Sequence, residues 1–476
     1  MSELPKQKTL LFSISAGDCF KNFAAFEGSL FDLLGASLDR KELRLVFLAP
    51  SEKAVLRERL EKYRDAHTGQ VVVEYVALPQ RTRVQKIFTF FYSYLLYTGT
   101  TRTLATMGMR LSDAPGGGKT YLAPIKWLLS RTLGKIRFVR ETLVPYLYER
   151  LFPQHPFADV FDRYKPDLVF TPNFFDRFDY ELSREAKHRG VQRLGMVLNW
   201  DHYDKYFLPF LPDDLLAQAE QMKDFAVRFQ GKDRANIRIV GYPFLDFLKN
   251  PHSIVSRGDV LKELGFPPNA KYILYVAGSM YCPDEPDIIE EILRWADSGE
   301  IGKNVYLVIR PYPRSGARGK DIDFDEKKFE GFAQHPRVST QVKEFFNGME
   351  NDATFVNIMR HADAVLAIYS TAVLPAAALD RPLITTAFDG HKVRPFNRSV
   401  LRFELREHFK DILSTGGQAR TVSFDDLKQK LTTYLAHPET DAEKRAALRK
   451  RVVDPLDGKA SERVYYILIN TLQNPV

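Results

Sequence analysis

Residues 364–386 read AVLAIYSTAVLPAAALDRPLITT, and the order of elements they encode decides the fold. The apolar run from Ala364 to Ile368 has strand length, an Ala-rich helical segment follows Ser370 and Thr371, and a second strand-like run spans Leu383 to Thr386. Two strands joined through a helix run parallel, so the stretch predicts one βαβ unit. The alternation extends outward from it. Apolar runs at Tyr272 to Val276 and Val305 to Ile309 precede it. Further upstream lie Leu10 to Ile14, Leu43 to Leu48, Val71 to Val76, Leu168 to Phe170 and Leu194 to Leu198, with helical spacing between them, as in Phe23, Phe26, Leu30, Leu33 and Leu34. Strands covered on both faces read as continuous apolar runs, as these do. The chain is therefore expected to be α/β, with two doubly wound domains of mainly parallel sheet. Residues 1–233 are expected to form the first and 234–476 the second, with a short linker near Gly231 to Asn236 and the run Ile237 to Val240 opening the second sheet.

Length and composition agree with two domains. The chain has 476 residues, 45% hydrophobic and 27% charged, which excludes wholesale disorder and an integral membrane bundle. Two cysteines, Cys19 and Cys282, supply neither a disulfide framework nor a four-ligand zinc site and point to a reducing compartment. No run of about 18 apolar residues and no signal-peptide pattern occurs, so a cytoplasmic location is expected. The net charge of +8 is not spread evenly. Arg81 to Arg150, read as a helical insertion in the first domain, carries 12 basic and 3 acidic residues, and it holds the aromatic run IFTFFYSYLLY at Ile87 to Tyr97. An anionic membrane surface is the expected partner of this segment, placing the protein on the inner face of the cytoplasmic membrane. Nucleic acid is not, because the aromatics cluster instead of interleaving with Arg and Lys. The opposing reading is a helix face buried on the sheet.

Ligands of open α/β sheets gather beyond the carboxyl ends of the strands. Arg310 ends an apolar run and precedes Pro311, so its guanidinium can hold a diphosphate bidentately or pair with a surface carboxylate. Ser370 and Thr371 open a helical segment, where hydroxyls and free N–H groups form an anion site or a plain cap. Gly278 and Ser279 form a turn after a strand, either a phosphate approach or an ordinary turn. Asp389, with Gly390 and His391, follows a strand and can meet hydroxyl groups or shape a loop. Asp18, on the loop after the first strand, can be a proton acceptor or an N-cap for a helix starting near Asn22. Asp201 and His202, beside Trp200, are expected to line the ligand-facing end of the first sheet. DAPGGGKT at 113–120 lacks the first Gly and the preceding strand of a P-loop, DIDFD at 321–325 reads as a solvated loop, and the histidines lack zinc spacing, so no metal site is expected.

NWDH at 199–202, Gly241-x-Pro243-x-x-Asp246, Gly278-Ser279, IRPYP at 309–313, YSTAVLPAAALDRPLI at 369–384 and DGKASER at 457–463 occur in an order that resembles bacterial surface-carbohydrate glycosyltransferases of GT-B fold. These are similar to the CDP-glycerol glycerophosphotransferases and the UDP-N-acetylglucosamine 2-epimerases. The resemblance spans about Lys165 to Arg463 and implies two Rossmann-like domains facing a central cleft, with the nucleotide donor on the second. It implies transfer of a sugar from a nucleotide-diphosphate donor to a glycan or lipid-linked acceptor in surface polysaccharide biosynthesis, the donor being a substrate and no cofactor or metal being needed. On this resemblance Gly278, Ser279, Arg310, Ser370, Thr371 and Asp389 are donor residues, and Asp18, Asp201 and His202 are catalytic candidates. Pro375 stands where relatives carry a Glu that would hold the ribose hydroxyls. That departure keeps open a non-catalytic glycan-binding scaffold and counts against an epimerase, while the resemblance to the CDP-glycerol enzymes keeps open a polyol-phosphate transferase using cytidine donors.

Overall fold

The structure is a computed structural model that describes residues 7–23, 27–51, 54–104, 120–250, 254–278, 282–311, 324–340 and 349–474. Thirteen strands fall into two sheets among these residues. The first contains β1 (Lys8–Ser13), β2 (Leu43–Pro50), β3 (Val71–Val76), β4 (Leu168–Thr171), β5 (Gln192–Met196), β6 (Asp214–Ala217) and β7 (Ile237–Ile239). The second contains β8 (Lys271–Val276), β9 (Val305–Arg310), β10 (Val338–Thr340), β11 (Ala364–Ala367), β12 (Leu383–Thr386) and β13 (Gln418–Thr421). Their orders are β3-β2-β1-β4-β5-β6-β7 and β10-β9-β8-β11-β12-β13, with every pair parallel. In each sheet the strand order reverses beside its first strand, at β1/β4 and at β8/β11, and that is where a doubly wound fold opens a crevice.

Burial follows the two-residue period of the strands. Leu10 and Phe12 of β1 face one core with Phe47 and Phe170, whereas Leu11 faces the other with Val46 and Val169. Phe12 sits edge-on to Phe170 at 4.9 Å and to Phe23, Phe31 and Phe47 at 5.6–5.7 Å. Each such side chain contributes about 1.5–3 kcal/mol on burial. The second sheet is covered in the same way by Ile288, Ile292 and Trp295 of the helix Glu285–Ser298 and by Leu427, Leu431 and Tyr434 of the helix Phe424–Ala436.

The units do not divide the chain at residue 233. One comprises residues 1–97, 124–249 and 455–476, the other 98–123 and 250–454. The run at Ile237 closes the first sheet, with Ile237 opposite Leu215 and Ile239 opposite Ala217. A three-residue strand carries no mark of which sheet it joins, so alternation alone placed it on the wrong side. Residues 98–123 leave the expected insertion in the same manner: Thr103 donates to the Arg402 carbonyl at 3.1 Å, and the Glu407 N–H donates to Thr100 Oγ1 at 3.0 Å.

The last helix, Ala460–Gln473, returns to the first unit and buries Val464, Leu468 and Leu472 there, a stripe at every fourth residue. Two of the motifs read from the sequence hold it in place. Asp246 accepts from the N–H groups of Ala460 at 2.9 Å and Ser461 at 2.7 Å, and Arg463 donates to the Val240 carbonyl at 2.8 Å and pairs with Asp457. Gly241 lies between them at φ +88°, where a Cβ would come within 2.9 Å of the Pro455 carbonyl oxygen.

Candidate functional site

At the β8/β11 reversal of the second unit, the strand ends bring several expected residues together. Arg310 is the last residue of β9 and is buried, with its guanidinium carbon 3.3 Å from the Phe355 ring centroid. The ring fixes the plane of the guanidinium, and a fixed planar fork is what bidentate recognition of a phosphate needs. Its carbonyl accepts from the Ala277 N–H at 3.0 Å, tying β9 to the turn after β8.

Gly278 is required here by packing. Its N–H donates to Glu285 Oε1 at 2.7 Å, and a Cβ would stand 2.3 Å from Ile368 Cδ1 and 2.9 Å from Cys282 Sγ. The expected phosphate approach is therefore not through this N–H, which a carboxylate already holds. Glu285 also accepts from the Tyr275 hydroxyl at 3.2 Å and pairs with Lys328 at 2.6 Å, both partners of that pair being buried. Ser279 lies outside the described residues.

Asp389 lies after β12 in the same crevice as Cys282, Asp284, Glu285, Ile368 and Thr386. Its carboxylate accepts the Val400 N–H at 2.8 Å, so it braces the following loop. Asp284 is bound by Arg394 Nη2 at 2.8 Å and by Lys392 at 3.2 Å. Burial works against its charge, but the bonds from Arg394 and Lys392 hold its carboxyl below the ordinary value. Burial pushes the Cys282 thiol up, which makes it a poor nucleophile. Ser370 Oγ accepts from the Ala372 N–H at 3.4 Å, while Thr371 is exposed. They precede the short helix Val373–Ala378, whose N-cap is Ala372. Pro375 occupies the first turn, where a helix needs no amide hydrogen, so its presence costs no backbone bond.

In the first unit, Asp18 falls inside the helix Gly17–Phe23, which begins five residues before the expected start at Asn22; its side chain lies outside the described residues. Asp201 is paired with Lys205 at 2.8 Å. The His202 ring is buried, stacked on Phe175 at 4.1 Å, and its Nε2 lies 3.3 Å from Asn199 Nδ2. Burial, and then the Lys205 charge, lower its pKa to about 3, so the ring is neutral at pH 7 and a weak proton acceptor. Sequence reasoning missed Asp179, which lies beneath the β1/β4 reversal on the helix Arg177–His188. It accepts from the Ser13 hydroxyl and from the Asn173 N–H at 2.7 Å, and Asn173 in turn donates to Ser15 at 3.1 Å. Burial raises its pKa to about 7 in spite of these bonds. The P-loop-like stretch 113–119 and residues 321–323 lie outside the described residues; among those described, no group of three His, Cys, Asp or Glu side chains is placed to hold a metal.

Solved structures share this architecture. UDP-GlcNAc 2-epimerase from Neisseria meningitidis bound to UDP-GlcNAc is 13% identical, covering 98% of this chain and 100% of its own, with a TM-score of 0.51. UDP-GlcNAc 2-epimerase from Methanocaldococcus jannaschii is 12% identical over 98% of this chain and 99% of its own, TM-score 0.50. A glycosyltransferase from Rickettsia africae is 10% identical over 99% of this chain and 100% of its own, TM-score 0.50. The chain has the GT-B fold. At this identity the likeness concerns the GT-B fold alone. Residues 331–470 match the sequence model of the family described as CDP-Glycerol:Poly(glycerophosphate) glycerophosphotransferase, which makes this GT-B chain similar to the surface-carbohydrate group read from its motifs. No curated protein sequence matches it.

Within this GT-B chain, Gly278, Arg310 and Asp389 are thus drawn to neighbouring strand ends of the second sheet, with Ser370 at the end of β11. Asp201 and His202 belong to the first unit. The ion pairs around Glu285 and Asp284 carry no short motif, because their partners lie 43 and 110 residues away.

Proposed function

We propose that the chain is a transferase of cell-surface polymer synthesis that binds a nucleotide-diphosphate-activated donor at the strand ends of its second unit. The observation that carries this is Arg310, buried at the end of β9 with its plane set by Phe355. Negative charge develops on the departing phosphate during transfer, and a preorganised guanidinium stabilises charge at that point without a metal. The hydroxyls of Ser370 and Thr371, at the end of β11, add hydrogen-bond donors. Gly278 serves by close packing, and Asp389 by bracing the crevice loop. Asp18 is the proposed acceptor base; Asp201, salt-bridged to Lys205, and the neutral His202 suit orientation of the acceptor better than proton removal. The acceptor is a glycan or lipid-linked, and the location is the inner face of the cytoplasmic membrane.

Two chemistries fit that site. In sugar transfer the bond between the anomeric carbon and the phosphate oxygen breaks, and a nucleoside diphosphate leaves. In polyol-phosphate transfer the diphosphate linkage itself breaks, and a nucleoside monophosphate leaves. The match of residues 331–470 to the glycerophosphotransferase family favours the second. Pro375 bears on both, since a donor held without the expected Glu must take its ribose contacts elsewhere. Incubation with UDP-, GDP-, CDP- and dTDP-linked donors and an acceptor extract, with the released nucleotide identified, separates them: diphosphate release supports sugar transfer, CMP release supports polyol-phosphate transfer. Release of neither from any donor, with glycan binding intact, would replace both readings by a binding scaffold.

A further inference from the structure

Twelve of the eighteen large apolar side chains exposed among the described residues lie between Val84 and Tyr146. The helix Arg83–Ser93 buries Gln85 and Tyr92 and turns Val84, Ile87 and Phe91 outward, Ile87 being 59% exposed. The helix Ala123–Arg131 is inverted outright: its buried residues are Lys126 and Ser130, whereas Ile125, Trp127 and Leu128 face outward, Trp127 at 54% exposure. The Lys126 ammonium is 4.3 Å from the Tyr94 ring centroid and 6.0 Å from that of Phe90. The two helices therefore pack through a cation on aromatic faces, and their apolar sides remain outside. Ile136 and Phe138, which follow closely in the chain, are exposed as well, Phe138 at 62%. A solvent-facing helix normally shows the opposite arrangement.

Charge identifies what covers this surface. Arg83, Lys86, Arg131 and Lys135 are exposed beside the apolar residues. Among the described residues Glu141 is the acidic residue of the same stretch, and it is paired with Arg137 at 2.7 Å; Glu149, just beyond it, is paired with Arg184 at 3.4 Å. The face is thus apolar, aromatic and basic at once. A second copy docked face to face would set like charges against each other. An anionic bilayer matches both properties, since headgroups attract the bases while Trp, Tyr and Phe side chains settle at the boundary of the acyl region. No helix among the described residues is long and apolar enough to cross a membrane. We propose that Ile87, Phe91, Trp127, Leu128, Ile136 and Phe138, with the exposed bases Arg83, Lys86, Arg131 and Lys135 of the same segments, form a surface that inserts shallowly into the headgroup layer of anionic lipid. The proposal does not rest on the donor reading, because lipid binding needs no nucleotide.

The test is co-sedimentation of the full chain with vesicles of equal phosphatidylglycerol and phosphatidylcholine, against phosphatidylcholine alone, at low and high salt. Partition onto anionic vesicles should be at least about tenfold stronger than onto neutral ones and should fall several-fold at high salt. The combined Ile87→Ser, Trp127→Ser and Leu128→Ser variant should lose about tenfold or more of that partition with its thermal midpoint unchanged. Lys86→Glu with Lys135→Glu should weaken anionic binding only. Equal partition onto both vesicles, or none onto either, overturns the proposal. So does self-association in sedimentation velocity that the Ser variant abolishes, which would make the covering partner a second copy. Nucleotide titration of the same preparations reports on the donor site separately.

Discussion

Replacing Asp246 by Ala should loosen the returning helix and destabilise the first unit by about 2 kcal/mol. Asp246 accepts two hydrogen bonds, from Ala460 at 2.9 Å and Ser461 at 2.7 Å, in the first turn of the helix Ala460–Gln473. Bonds of this kind to a charged acceptor contribute about 1.5–3 kcal/mol each, and loss of a capping side chain costs about 0.5–2 kcal/mol. Burial opposes the charge and raises the Asp246 pKa, so part of the gross gain is offset, and the capping range is the better guide. Asp246→Asn keeps one acceptor and turns an N–H donor toward the other backbone N–H, so it should fall between wild type and Ala. Gly241→Ala, at φ +88° with Pro455 2.9 Å from the added Cβ, should be destabilising in the same unit by about 1–3 kcal/mol. The assay is urea unfolding combined with hydrogen exchange on peptides from residues 460–473. Protection of that helix should fall in Asp246→Ala before protection of the second sheet changes. A variant within about 0.5 kcal/mol of wild type, with unchanged exchange in that helix, would refute the anchoring role of these motifs.

Asp179 makes stability depend on pH in a direction unusual for a carboxylate: its folded pKa of about 7 exceeds the ordinary 3.8, so the proton it holds stabilises the fold fully below pH 4 and this contribution is lost by pH 7. Asp179→Asn should remove that dependence, worth at most about 3 kcal/mol between pH 5 and 8, as read from urea midpoints at those two values. His202 acts oppositely, because its folded pKa of about 3 lies below the ordinary 6.5 and its stability contribution is lost as pH falls through that range; His202→Gln should therefore resist acid better than wild type in the same titration. Gly278→Ala should lower the melting temperature of the second unit, since its Cβ would lie 2.3 Å from Ile368 Cδ1, and Ile368→Ala should recover part of the loss in the double variant.

The long strands were legible because β1, β2, β8 and β9 are continuous apolar runs buried on both faces. Those overlooked are short or polar. β13 reads QART, β10 is a half-buried edge strand, and β6 has only four residues, so composition does not mark any of them. The placement of β7 and of the last helix depends on which core receives Ile237 and Leu468, a tertiary choice that periodicity does not encode. At the site, Arg310, Ser370 and Asp389 could be found because each follows an apolar run. At Gly278 the structure shows a packing requirement, and the small size needed beside Ile368 and the small size needed beside a phosphate look identical in sequence. Glu285 with Lys328 and Asp179 with Ser13 meet only through folding, across 43 and 166 residues.

Nucleotide binding at Arg310 is the most direct measurement. Calorimetric titration of UDP, CDP, GDP and dTDP should find at least one that binds the wild-type chain. Its affinity should fall about 10- to 100-fold in Arg310→Ala, the equivalent of losing one charge-assisted bidentate contact, and less in Arg310→Lys, which keeps the charge but not the fork. Circular dichroism should show both variants folded. If none of the four binds the wild-type chain, or if folded Arg310→Ala binds as tightly as wild type, the donor site is not at the end of β9.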